Sequence, residues 1–146
     1  ALYGTKSEKL KAYAQNKPGV ILVKRVPRNQ LHYIQIHLAT LTKGWTHIAV
    51  PSKAVSAIAM NSCLLFCGDK RSDNWYMFQK AGWFIDENDK ISEQVQAFID
   101  QLTLEDIKHK SSFTDQLYEE LKAYVLSAYQ QMAENPCDAD ATLPLK

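Results

Sequence analysis

The sequence predicts an α+β fold: a single domain with a central, mainly antiparallel sheet, an N-terminal helix and a C-terminal helical segment. Three observations predict it. Short β-branched and alternating segments crowd between residues 20 and 85, helix-period apolar stripes lie at both ends, and 146 residues at 46% hydrophobic and 23% charged suit one core. The domain is expected over 1–136, with 137–146 as a flexible C-terminal tail.

Residues 5–16 read as the first helix, because Thr5 and Glu8 have capping-box spacing and Leu10, Tyr13 and Ala14 share a face. Pro18-Gly19 stops it. Val20 to Val23 is short and β-branched, hence a strand. A basic connection with a turn-forming proline, Lys24 to Asn29, leads to an alternating strand over Gln30 to Thr40. Its expected core face is Ile34, Ile36 and Leu38, leaving Tyr33, Gln35 and His37 on the other face. Lys43-Gly44 turns into a third strand, Trp45 to Val50.

Pro51 ends that strand and Ser52 caps a helix to about residue 60, followed by a strand over Cys63 to Phe66 and an exposed loop at 68–74. The aromatic runs Trp75 to Phe78 and Trp83 to Ile85 flank Lys80-Ala81-Gly82 and read as a hairpin, with a helix over 75–81 as the competing reading. Residues 86–89 form a turn. Helix spacing returns in Ile91, Val95, Phe98, Ile99 and Leu102, with Asp89 as cap. Thr103 with Asp106 starts another helix. The longest helix runs from Phe113 to Glu134 with Ser112 as cap and a stripe of Phe113, Leu117, Leu121, Val125, Ala128 and Met132; Asn135-Pro136 terminates it.

The formal net charge of +1 hides an asymmetry. Residues 1–53 hold nine basic residues and Glu8 alone among acids, a net +8, whereas residues 54–146 hold eight basic and fifteen acidic residues, a net −7. A half-chain at +8 concentrates an anionic ligand if its charges converge. Arg25 and Arg28 suit bidentate phosphate contact, Lys24 with Lys6, Lys9 and Lys11 supply diffuse attraction, and Tyr33, Gln35 and His37 suit stacking and base contact. The competing reading has the basic N-terminal elements neutralising the acidic C-terminal helices within or between chains.

Enzyme chemistry is weakly supported. There is no G-x-G loop for phosphate, and Asp86-Glu87-Asn88-Asp89 lacks the glycine and distal acid of a calcium loop. Cys63 and Cys67 are separated by C-x3-C, unlike a zinc knuckle, and their apolar setting disfavours a thiolate paired with His47. No metal and no cofactor is therefore expected. Phosphodiester cleavage by a metal would have to draw on loop acids such as Asp69 and Asp73.

Three cysteines, no N-x-Ser/Thr sequon and no apolar leader in the first residues point to the cytoplasm, and no apolar run suggests a membrane partner. The first reading is a noncatalytic domain that binds an anionic partner, above all nucleic acid. The alternatives are a protein-interaction or accessory module and a metal-dependent nuclease. The interaction module would be homodimeric in one version, using the aromatic hairpin (Trp75, Tyr76, Phe78, Trp83, Phe84) and the acidic C-terminal helices.

Overall fold

The computed structural model of the chain describes residues 2–3, 8–15, 17–23, 26–41 and 50–134. The chain divides into two compact units, residues 1–34 and residues 35–146. The third strand expected at Trp45 to Val50 falls largely outside the described residues, and the expected tail at 137–146 falls wholly outside them.

In the first unit, β1 (Leu2–Tyr3) pairs in parallel with β2 (Leu22–Val23), in the register Leu2 to Leu22 and Tyr3 to Val23. Between them lies α1 (Glu8–Gln15), which buries Ala14 and ends before Gly19, whose φ of +79° suits the one residue without a Cβ. The expected strand over 30–40 begins differently. Residues Arg28–Tyr33 form a 3-10 helix entered from Pro27, and only Ile36–Thr40 are extended, as β3. Proline fixes φ near the helical value, so the chain leaves Pro27 already set for a helical turn.

The second unit corrects the expected antiparallel sheet. Strands β3, β4 (Cys63–Gly68) and β5 (Gly82–Asp86) lie in the order β3-β4-β5 and both pairings are parallel. The reason lies in the connections. Helix α2 (Ser52–Ile58) intervenes between β3 and β4, and α3 (Asp73–Phe78) with a 3-10 turn at Gln79–Ala81 intervenes between β4 and β5. Crossovers through helices return the chain in the same direction, whereas antiparallel neighbours need tight hairpins.

The hairpin reading of 75–85 fails for local reasons. Aromatic residues favour strands only weakly, and here Ser72 accepts a hydrogen bond from the Trp75 N–H at 3.0 Å and starts a helix. Asn74 and Phe78, four residues apart, are both buried on its inner side. Gly82 does not turn the chain. It opens β5 beside β4, where a Cβ would stand 2.6 Å from the Leu64 carbonyl oxygen.

Register fixes the two faces of the sheet. Ala39, Phe66 and Phe84 form one row, which packs with Leu64 against Ala54, Ala57 and Ile58 of α2, Phe78 of α3 and Leu117 of the long C-terminal helix. The small residues Ala39, Ala54 and Ala57 let α2 sit close on the sheet. The expected inward face of β3 is therefore reversed: Ala39 is buried and Leu38 is 62% exposed. A strand flips every side chain with a one-residue change of phase.

Behind the sheet lie α4 (Ile91–Gln101) and α5 (Leu104–Ser111). Trp83 meets Phe98 at 5.3 Å between ring centroids, and the Cys63 thiol donates to the Ile107 carbonyl at 3.5 Å. Helix α6 (Thr114–Glu134) then returns to the α2 side. Asn61 holds φ at +57° at the end of α2, with the Ser62 N–H bonded to the Ala57 carbonyl and its own N–H to Ile58, a Schellman closure. Buried Thr114 donates to the Ser111 carbonyl at 2.6 Å and lies 3.2 Å from Asn61 Oδ1, which joins the start of α6 to that closure.

The expected caps fare unevenly. Thr103 and Asp106 form a complete capping box on α5. Asp89 accepts a bond from the Lys90 N–H, but Lys90 occupies the cap position of α4. Ser112 donates to the His109 carbonyl and so closes α5 rather than capping α6.

Candidate functional site

Open parallel sheets bind ligands beyond the carboxyl ends of their strands. In the second unit that end carries Cys67, Gly68 and Asp69 from β4 and Asp86 and Glu87 from β5. Burial pushes the Cys67 thiol up from its ordinary value, and the carboxylates of Glu87 and Asp86 push it further. Cys63 is pushed up to about 11 by burial, against a smaller opposing effect of Lys110. Both thiols are therefore held protonated at neutral pH, the opposite of an activated nucleophile. His47, the expected base, lies outside the described residues.

Two of the acids at this end, Asp69 and Asp86, are engaged in their own turns, whereas buried Glu87 Oε1 has no hydrogen-bond partner among the described residues. Asp69 binds the Arg71 guanidinium at 2.8 and 3.1 Å and also accepts its backbone N–H. Asp86 Oδ1 accepts the N–H of Asn88, while the Gln94 side chain pairs with both backbone groups of Asp86 and completes the end of β5. Among the described residues no three His, Cys, Asp or Glu side chains come together to hold a metal ion. An acidic strand end repels phosphate.

The first unit supplies a different surface. Residues 1–34 contain seven basic residues and one acid, while residues 35–146 carry ten basic against fifteen acidic, so the division into units also divides the charge. The 3-10 helix Arg28–Tyr33 exposes Arg28, Asn29, Gln30, His32 and Tyr33, with Leu31 half-buried. Three residues per turn place Asn29 under His32 and Gln30 under Tyr33 in neighbouring columns. The His32 and Tyr33 rings stand 4.0 Å apart, tilted by 45°, and Tyr33 is 75% exposed. The helix is fixed by the Gln30 N–H to Pro27 carbonyl bond at 2.9 Å and the Ile34 N–H to Leu31 carbonyl bond at 3.0 Å.

The residues expected to bind nucleic acid are distributed as follows. Arg28 and Tyr33 share the 3-10 helix, whereas Gln35 and His37 belong to the second unit, so these four do not form one strand face. Gln35 is exposed, and its carbonyl accepts the Cys63 N–H; half-buried His37 shares the β3 phase of Ala39. Lys9 and Lys11 lie on α1, where Lys11 pairs with Glu8 at 2.6 Å. Lys6, Lys24 and Arg25 fall outside the described residues. Sequence reasoning missed Asn29, Gln30 and His32 as co-residents with Tyr33, although Pro27 followed by a polar run was the available signal of a helical turn.

Of the five aromatic residues expected to contact a protein, Phe78, Trp75 and Phe84 pack in or against the core. Phe78 is fully buried, Trp75 stacks toward Phe84 at 5.0 Å and Phe66 at 6.1 Å, and Trp83 lies against Phe98. Tyr76 alone of the five is exposed. No helix among the described residues is long and apolar enough to cross a membrane. The chain matches no protein-family model, no curated protein and no solved structure.

Proposed function

We propose that this protein is a noncatalytic module that binds an anionic partner, a nucleic acid with unpaired bases, through the 3-10 helix Arg28–Tyr33. The observation that carries the reading is the set of side chains this one element exposes: a guanidinium, two amides and two adjacent rings. Each has a partner on a single strand. Arg28 meets phosphate, Asn29 and Gln30 offer paired donors and acceptors to base edges, and His32 and Tyr33 offer faces for stacking. The excess of basic residues in 1–34 supplies attraction at longer range.

A cytoplasmic setting accords with the two described cysteines, which are free thiols. They lie four residues apart on one strand, about 13 Å at strand rise, far beyond the reach of a disulfide.

Binding of labelled single- and double-stranded oligonucleotides by the intact chain and by Tyr33→Ala tests the proposal. Preference for the single strand and a loss of about 1–3 kcal/mol on removing Tyr33 are expected. Equal affinity for duplex, or no effect of Tyr33→Ala, would refute it.

A further inference from the structure

Helix α6 is built in two halves. Its first half lays Leu117, Tyr118 and Leu121 onto the core, with Thr114 fully buried. The same stripe then continues as Val125, Ala128 and Met132, at alternating spacings of four and three residues, flanked by Tyr124 and Tyr129. From Lys122 to Glu134 every residue except half-buried Ala128 is exposed; Tyr124 is 72% and Met132 69% exposed. The apolar face thus outruns the body that covers it, over about 20 Å of helix. No formally charged side chain occurs from Ala123 to Ala133.

We infer that a second copy of this chain covers this face, the distal halves of two α6 helices pairing antiparallel about a twofold axis. The four-three spacing is a coiled-coil seam, with Leu121 and Ala128 in one position type and Val125 and Met132 in the other. Antiparallel pairing sets unlike positions opposite each other. Val125 of one copy then packs on Ala128 of the other, large against small in the central layers.

A parallel pair is excluded by the core. The cluster containing α2 occupies the seam side of the first half of α6, so two bodies side by side would claim the same space. In the antiparallel pair each helix tip runs toward the other body instead.

Charge and area also favour a copy. Two uncharged faces meet without like-charge repulsion and without burying an unpaired ion. Tyr124, Val125, Tyr129 and Met132 together offer on the order of 500 Å² per chain, from the size of such side chains. Two chains then remove on the order of 1,000 Å², at the lower bound for a specific interface, so the dimer is reversible. This interface does not depend on the anion-binding reading.

Sedimentation equilibrium of the full chain, from about 5 to 500 µM, tests it across the range where weak interfaces dissociate. The expected mass rises with concentration from 16.6 kDa toward twice that value. Val125→Glu and Met132→Glu, each at an exposed site, should hold the mass at that of the monomer with unchanged circular dichroism. Leu126→Glu, also exposed but turned about 100° from Val125, should dimerise as the parent does. A parent monomeric throughout, or equal loss in Leu126→Glu, overturns the inference. So does a monomeric parent whose melting temperature falls in Val125→Glu, since the chain would then be covering its own face.

Discussion

At the scale of single residues, Gly82 and Cys63 make the strongest demands. A Cβ at residue 82 would enter the Leu64 carbonyl at 2.6 Å, backbone that cannot swing aside. Gly82→Ala is therefore expected to cost about 1–3 kcal/mol in urea unfolding, the range for overpacking a tight site. Cys63 is buried, and its thiol is pushed up to about 11 from an ordinary 9.0. The folded chain keeps a proton that the unfolded chain begins to lose near 9, so this contribution to stability is complete below pH 9 and falls as pH climbs toward 11. The denaturation midpoint should decline over that window, and Cys63→Ser should flatten the decline. Alkylation followed by mass analysis at pH 8 should leave Cys63 unmodified until denaturant is added. Gly82 was visible in the sequence but as a turn residue; its true constraint, the approach of a neighbouring strand, depends on pairing that no local pattern records.

At the scale of elements, the Thr103–Asp106 box is the most local feature and was legible from spacing alone. Thr103 N–H and hydroxyl both donate to Asp106, which holds that carboxyl below the usual carboxylate range. Thr103→Ala should cost about 1 kcal/mol, read from thermal melting, as removal of a cap commonly does. The effect should shrink in acid, because a lowered carboxyl gives its stabilisation above its unfolded value and loses it as pH falls through the folded one. Helices α2, α4 and α6 and strand β4 were likewise readable, since each carries its own apolar pattern, although the caps expected for α4 and α6 are not the ones formed. Helix α3 was readable only as the second choice, because Trp75 to Phe78 satisfies both a strand composition and a helix spacing. The phase of β3 was misread because its start was placed too early: Pro27 spends residues 28–33 on a 3-10 helix, and Leu38 consequently faces out. That same turn gathers Asn29, Gln30, His32 and Tyr33, so one error of element concealed both a core face and most of the candidate site.

At the scale of the whole molecule, the net charge of +1 is the sum of a basic first unit and an acidic second one. The strand ends of the second unit are acidic, whereas the exposed 3-10 helix of the first carries a guanidinium, two amides and two rings, the set on which the proposed function rests. Phosphate contact and stacking have separate signatures. The affinity of the intact chain for a short single-stranded oligonucleotide, measured across a salt series, tests the central claim most directly. A logarithmic affinity that falls linearly with logarithmic salt is expected, with the slope reduced by about 1 in Arg28→Ala. Tyr33→Ala should lower affinity at every salt concentration and leave the slope unchanged. Affinity absent at the lowest salt, or a slope indifferent to Arg28, would contradict the account.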